Sequence, residues 1–419
     1  MAAKAEAKRS RHLIYFLSRT LPNAMGTDPH SPRTVLMLTP SSRLLGARRS
    51  LLALAESLDP ERWRPVVCGQ SHGQLGEALD ARQIPMEVVK LGWWRKGKYF
   101  LWRPFAIARL ASLARTVGAD LIHCNEIYPN PYAVRAAGNV MGPPGSPGEG
   151  RPIPVVTHVR LGMKPGMIRK YDLIRADRII IPSKALAQEF SKWEDRGRRV
   201  GVIYNGVNLD EYQRKRTAEA ARLQLGLPVE GLLLGAIGQL GRRKGGDILL
   251  DAVERLAPRH PELYVFFVGE PHRGQENFAE KLKRRAAEPP LAGRVFFHPF
   301  TEQILPYYEA ADVNILASRK EGFGRTIIES GAIGIPSIGA RTGGIEEIIV
   351  DGATGYLVPP KNPEALTRAI EEMITHPGQR RAMGDAAFKR TAQYFSATAH
   401  QERIMNLYDE VLETKTGSM

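Results

Sequence analysis

Two carboxylates eight residues apart, Glu321 and Glu329, flank two glycines in the stretch Arg319-Lys320-Glu321-Gly322-Phe323-Gly324-Arg325-Thr326-Ile327-Ile328-Glu329. An apolar run, Val313 to Ser318, precedes it and reads as a buried strand, and a helical pattern follows. Without side chains, Gly322 and Gly324 let backbone approach a ligand, and the helix start aims free N–H groups and a positive dipole end at that space. An anion belongs there. Glu321 sits at the strand end; Glu329 lies a turn into the helix with its side chain pointing back toward the helix start. One acid therefore stands beside whatever the loop cradles and the other farther along the same ligand. Alone, the pattern fits equally well a helix-start acid and a solvated one.

A second anion-binding pattern lies upstream. Gly238-Gln239-Leu240-Gly241-Arg242-Arg243-Lys244-Gly245 follows an apolar run and leads into a helix from Asp247 to Leu256. A glycine turn carrying cations into a helix start is a phosphate-binding arrangement, although the Gly-x4-Gly-Lys-Ser/Thr spacing of a Walker loop is absent. Lys244 is the stronger ligand candidate, and at least one of Arg242 and Arg243 reads as a solvated turn residue. No two aspartates stand two positions apart. An Asp-x-Asp metal pair is therefore missing, no metal site is expected, and cations with helix dipoles would do a metal's work.

The elements that must position these groups are short aliphatic runs alternating with helical segments. In the first half the runs are Val35–Leu38, Val66–Cys68, Met86–Val89, Leu121–His123, Pro154–Thr157, Ile179–Ile181 and Val200–Tyr204. In the second they are Leu232–Ile237, Tyr264–Val268, Val295–Phe297, Val313–Leu316, Ile335–Ile338 and Tyr356–Val358. Such alternation predicts parallel sheets, and thirteen strands are too many for one open sheet. The fold class is α/β, with two doubly wound, Rossmann-like domains facing across a cleft where ligands meet the carboxyl ends of the strands. Residues 33–206 form the first domain, 207–230 a polar linker and 231–395 the second domain. Residues 396–419 form an amphipathic C-terminal helix placed to pack back on the first domain. The Gly/Pro-rich insert from Met141 to Pro154 reads as a surface loop. Residues 1–32, Arg- and Ser-containing, read as a disordered or surface-lying extension, with an organelle transit peptide as the lesser alternative.

Net charge is +15, and residues 1–200 hold 32 Lys and Arg against 16 Asp and Glu, so the whole excess belongs to the first half. That half should meet something anionic: a phospholipid surface, a phosphorylated acceptor or nucleic acid. Cys68 and Cys124 each end an apolar run and read as small buried residues in a reducing compartment. No window approaches the roughly 18 apolar residues a membrane span needs. The segment Gly92-Trp93-Trp94-Arg95-Lys96-Gly97-Lys98-Tyr99-Phe100-Leu101-Trp102-Arg103 puts three of the five tryptophans among four cations. This mixture suits a membrane interface, with Trp93, Trp94, Arg95, Lys96, Lys98, Trp102 and Arg103 meeting lipid or acceptor; aromatic packing against the domain's own sheet fits equally well.

Taken in order, Val202-Ile203-Tyr204-Asn205-Gly206-Val207, Gly238-Gln239-Leu240…Lys244-Gly245, Glu321-Gly322-Phe323-Gly324…Glu329 and Thr342-Gly343-Gly344-Ile345…Asp351-Gly352…Gly355 resemble the retaining GT-B glycosyltransferases of family four. The resemblance runs from about Arg33 to the C-terminal helix. It implies a GT-B fold with a donor site for a UDP- or GDP-sugar in the second domain and no cofactor. In it Glu329 bonds the ribose, Lys244 pairs with the diphosphate, and Glu321 with the Phe323 and Gly324 backbone holds sugar hydroxyls. Gln239, Arg243, Gly322, Arg325 and Thr326 complete that site. The family usually has Arg at the position of Gln239, and Arg242 or Arg243 is the candidate substitute. Gly46, in a turn resembling the family's glycine-rich first-domain loop, would approach donor phosphate or acceptor. His158 matches the family's cleft histidine, while His123 reads as structural and Asn125 as a candidate polar contact.

The resemblance implies sugar transfer in cell-surface polysaccharide or glycolipid synthesis; the tryptophan segment and the basic first half add the expectation of a lipid-linked or anionic acceptor and of a cytoplasmic location peripheral to the membrane. A sugar epimerase or phosphorylase of the same fold is the alternative within enzymes. A basic nucleic-acid-binding protein with an inactive transferase fold is the alternative outside them, and nucleic acid is the less expected partner.

Overall fold

The computed structural model describes residues 31–416 apart from 45, 95, 147, 161, 164, 189 and 191–198. Nearly all of the predicted extension, and Arg95, lie outside the described residues.

Among these, strands β1 (Arg33–Leu38), β2 (Trp63–Gly69), β3 (Met86–Val88), β4 (Ala119–Cys124), β5 (Val155–His158), β6 (Arg178–Ile181) and β7 (Val200–Val202) form one sheet in the order β3-β2-β1-β4-β5-β6-β7. Strands β8 (Leu232–Ile237), β9 (Leu263–Val268), β10 (Val295–His298), β11 (Val313–Leu316), β12 (Ser337–Ala340) and β13 (Gly355–Val358) form the other, ordered β10-β9-β8-β11-β12-β13. Every pairing in both sheets is parallel. Each apolar run read from the sequence contributes a strand, with three shifts. His158 is the last residue of β5 rather than a residue after it. The run to Tyr204 leaves the sheet after Val202. The run Ile335–Ile338 starts pairing only beyond Pro336, whose ring nitrogen has no hydrogen to donate.

Alternation explains the two-sided burial: on β8, Leu232 and Leu234 enter one core while Leu233 and Ile237 enter the core on the opposite face. Helices cover both faces, and those that bear on the site are α1 (Gly46–Ser57), α2 (Arg103–Thr116), α3 (Gly246–Leu256), α4 (Arg325–Gly331) and α5 (Ala397–Thr416). Strand order reverses between β1 and β4 and between β8 and β11, and loops leaving those neighbours diverge to open a crevice. Cys68 and Cys124 lie in one apolar core of the first sheet as free thiols, and burial pushes each up to about 12.

The chain crosses between the sheets twice at one point. Val207 N–H donates to Phe395 O at 2.9 Å and Ala397 N–H to Val207 O at 2.8 Å. A Cβ on Gly206 would lie 2.8 Å from Ala397 Cα, so only glycine lets the two crossings touch. Beyond them α5 joins the first sheet's core: Ile404, Leu407, Tyr408 and Val411 pack with Val35, Leu51 and Trp63. Tyr408, wholly buried, sets its ring edge-on to Trp63 at 5.0 Å, and Asp409 pairs with Arg33 and Arg62. We expect Tyr408→Ala to cost about 3–5 kcal/mol in urea unfolding followed by tryptophan fluorescence; a loss well under 1 kcal/mol would remove α5 from the first domain's core.

Candidate active site

The loops after β8 and β11 leave neighbouring strands and meet. The first makes a tight turn, Arg242–Lys244, and Gly245, at φ +71°, then opens α3. A Cβ there would stand 2.0 Å from the Ala317 carbonyl oxygen, so glycine alone permits the two loops to touch. Arg319 staples them, donating to both Asp247 oxygens at 2.8 and 2.7 Å and to the Arg242 carbonyl at 2.7 Å.

Within this frame Lys244 Nζ donates to Glu321 Oε2 at 2.7 Å and Arg243 Nη1 donates to the same oxygen at 3.1 Å. The Gly322 N–H reaches Oε1 at 3.2 Å. Burial alone would raise the Glu321 pKa, but the Lys244 and Arg243 charges outweigh it and hold the carboxyl below the usual range. Arg242 points elsewhere: its guanidinium lies 5.4 Å from the centre of the Phe278 ring. Of the two arginines the sequence leaves open, Arg243 enters the site. Gln239 is exposed beside Lys244 on the same loop.

On α4, Glu329 is held from both sides. Its Oε2 accepts from the Tyr308 hydroxyl at 2.7 Å and its Oε1 from Arg325 at 3.0 and 3.1 Å. Arg325 also donates to Ser50 Oγ of α1 at 2.7 Å, tying the second domain to the first. Burial, then the Glu329 charge, pushes the Tyr308 phenol well up, so it stays a donor. Thr326 Oγ1, in the first turn, is buried with no hydrogen-bond partner. The Phe323 ring packs against Tyr204 and Phe395, and the Gly322 carbonyl accepts from Ser183 Oγ of the first domain at 2.8 Å. Glu347 receives the Lys184 and Ala185 N–H groups at 2.9 Å each, a second bridge between domains.

In the first domain, Gly46 opens α1. His158 has no exposed surface, and neither ring nitrogen finds a partner. It sits between His123 and His400, with ring centres 6.1 and 6.4 Å away. His123 Nδ1 shares a hydrogen bond with the Tyr408 hydroxyl, as the structural reading of His123 requires. His400 Nδ1 bonds the Tyr204 carbonyl at 2.6 Å. Arg160, half-buried beside them, donates to Asn125 Oδ1 at 2.5 Å and to Asn205 Oδ1 at 3.3 Å, which places Asn125 in a polar network at the end of β4. Among the described residues no three His, Cys, Asp or Glu side chains are arranged to hold a metal ion.

Two family models match consecutive parts of the chain: Glycosyltransferase Family 4 over residues 45–211 and Glycosyl transferases group 1 over residues 217–390. The chain belongs to the family-four, group 1 glycosyltransferases. It is 33% identical over 250 residues to a D-inositol 3-phosphate glycosyltransferase of Streptomyces avermitilis, covering 55% of this chain and 54% of that one. A Corynebacterium urealyticum protein of the same name is 30% identical over 241 residues, covering 56% of each chain. The chain thus spans about half the length of the curated relatives it matches. Among solved structures, a glycosyltransferase from Rickettsia africae superposes with a TM-score of 0.79 at 21% identity, covering 91% of this chain and 99% of that one. Anabaena Alr3699/HepE in complex with UDP superposes at 0.76 and 23%, covering 90% of this chain and 100% of that one. These likenesses show the GT-B fold.

The tryptophan segment divides. Trp94 packs edge-on to Tyr132 at 5.0 Å, with the Arg103 and Arg135 guanidinium groups each 4.5 Å from its ring centre. For Trp94 and Arg103, where the sequence left lipid contact and packing against the domain equally open, the structure shows packing within the domain. Trp93 and Trp102 are 51% and 59% exposed, with Lys96 and Lys98 exposed beside them. Phe100, Leu101 and Phe105, outside the residues singled out from the sequence, are 63%, 83% and 68% exposed.

Tyr308, Arg160 and Ser50 also escaped sequence reading. Tyr308 and Ser50 carry no local signal, whereas Arg160 stands two residues beyond a marked histidine at a strand end.

The three histidines set a pH response. Burial, ahead of the Arg160 charge, lowers His123 to about 3 and holds His158 well below the ordinary imidazole value, and burial with neighbouring charges lowers His400 to about 4. Each is neutral when folded and takes a proton more readily when unfolded. Their stabilisation is therefore complete above the ordinary imidazole value and is lost as pH falls from about 6.5 toward 4, with a limiting slope of about 4 kcal/mol per pH unit. Thermal midpoints measured across that window should fall steeply in the natural protein and less steeply in His400→Gln; parallel curves would show that the cluster is not the cause.

Proposed function

We propose that the protein transfers a sugar, with retention of configuration and without a metal, from a nucleoside-diphosphate sugar to a phosphorylated polyol acceptor. The observation that carries this is the convergence of Lys244 and Arg243 on one carboxylate at the second domain's switch point. A diphosphate is the natural competitor for those two cations. Once it takes them, Glu321 is released to accept hydrogen bonds from sugar hydroxyls. Charge gathers on the diphosphate as the glycosidic bond breaks, and two fixed cations stabilise it there, which accelerates departure. The departing phosphate, on the same face of the sugar, takes the acceptor's proton. Glu329, oriented by Tyr308 and Arg325, binds the ribose, and Thr326 Oγ1 gains from a ligand the partner it lacks. Contact between His158 and the sugar requires neighbouring side chains to draw back, since none of its surface is exposed.

Structural neighbours in complex with UDP and with UDP-glucose support a UDP-sugar donor. The D-inositol 3-phosphate glycosyltransferases support a phosphorylated polyol as acceptor, and the basic first half suits an anionic one. Arg243 supplies the cation that Gln239 does not.

Release of labelled UDP from UDP-glucose measures the reaction. Lys244→Ala should lower kcat by about 10²–10³. Glu329→Ala should raise the donor KM at least tenfold; turnover equal to the natural protein in both variants sinks the assignment. Arg243→Gln should lose activity that the added substitution Gln239→Arg restores, and failure of that rescue in a folded protein removes Arg243 from the diphosphate site.

A further inference from the structure

Residues 88–119, which run from the end of β3 through α2, hold seven Lys and Arg and no Asp or Glu. The same segment carries Phe100, Leu101, Trp102 and Phe105, four large apolar side chains left exposed within six residues, with the Trp102 and Phe105 rings in contact at 5.8 Å. Large apolar side chains exposed this close together, in a segment whose charges are all of one sign, mark an interaction surface. Its charge chooses the partner: cations around aromatics fit the headgroup region of an anionic bilayer, where rings lie among acyl chains and headgroups while Lys and Arg meet phosphate.

Four residues before Phe100 the chain lines a cavity of about 170 Å³ at the carboxyl end of the first sheet. Trp93, Tyr128 and Tyr171 wall it, with Tyr128 edge-on to both Trp93 at 5.4 Å and Tyr171 at 5.3 Å. Lys96 and Lys170 stand in the same lining from opposite segments of the domain. Aromatic faces suit the C–H face of a polyol ring, and two ammonium groups suit a phosphate attached to it.

The geometry points to a lipid-borne acceptor. We infer that the pocket of Trp93, Tyr128, Tyr171, Lys96 and Lys170 takes the phosphorylated polyol headgroup of a membrane lipid, while Phe100, Leu101, Trp102 and Phe105 enter the bilayer beside it. This deepens the acceptor part of the proposed function and rests on it for the word acceptor; the binding itself needs no donor. It commits to a headgroup held in a membrane because the apolar cluster next to the pocket has no use for a free polyol phosphate.

Co-sedimentation of the full chain with phosphatidylcholine vesicles, with and without phosphatidylinositol, tests it. The natural protein should bind the phosphatidylinositol vesicles at least tenfold better, with affinity falling as salt rises. Leu101→Asp/Phe105→Asp should lose binding to both vesicle types. Lys170→Glu should abolish the preference for phosphatidylinositol, each variant being checked for an unchanged thermal midpoint. Equal binding by folded variants and natural protein overturns the assignment. So does a rise in thermal midpoint with soluble inositol phosphate when no vesicle binds, because the acceptor is then free in solution. UDP release from UDP-glucose in the absence of lipid tests the transferase reading separately, so loss of one leaves the other standing.

Discussion

One carboxylate between two cations governs the second domain. Glu321 is buried, and a buried charge is costly unless it is paired; Lys244 and Arg243 pair it from the adjoining loop. The pair joins the ends of β8 and β11, whose loops Arg319 clamps through Asp247, so charge neutralisation and loop geometry are set together. Any anion that enters must offer the cations more than Glu321 does and must leave Glu321 with partners of its own. A sugar diphosphate does both, since its phosphates take the cations and its hydroxyls can donate to the carboxylate. An isolated phosphate does only the first.

The rest of the interface keeps that arrangement in register with the first domain. Arg325 holds Glu329 on its own helix and Ser50 across the cleft, so the residue proposed to bind ribose is oriented by a contact that senses the other domain. Ser183 and Glu347 add two more bridges beside the loop of Gly322. Closure and site geometry are thereby coupled through hydrogen bonds, each worth about 0.5–1.5 kcal/mol, or somewhat more where a charge takes part.

The fold was legible because a parallel strand buried on both faces is a continuous apolar run, and each run from Val35 to Val358 declared itself so. Glu321, Lys244 and Glu329 stood out as candidates because glycines at strand ends let backbone approach a ligand. What the sequence left open was direction. Arg242 and Arg243 are neighbours with the same chemistry, and only the turn at Gly245 sends one to Glu321 and the other to Phe278. Trp93 and Trp94 present the same problem: both reach the pocket, but in the turn from Trp93 to Lys96 the first is left half exposed against Tyr128 while the second packs under two arginines. Tyr308 and Ser50 were invisible because each meets its partner only through tertiary contact, 21 and 275 residues away in sequence.

Helix α5 gives the chain an order of assembly opposite to its order of synthesis. The second domain finds its whole sheet within residues 232–358, with covering helices close by in sequence. The first domain cannot bury Trp63 or satisfy His123 until residues 397–416 arrive, with Tyr408 lying 285 residues beyond His123 and farther still from Trp63. Closing so long a loop costs entropy that only an already compact second domain can reduce. The half made first therefore waits for the half made second, and α5 binds the two into a unit that a nascent chain completes late.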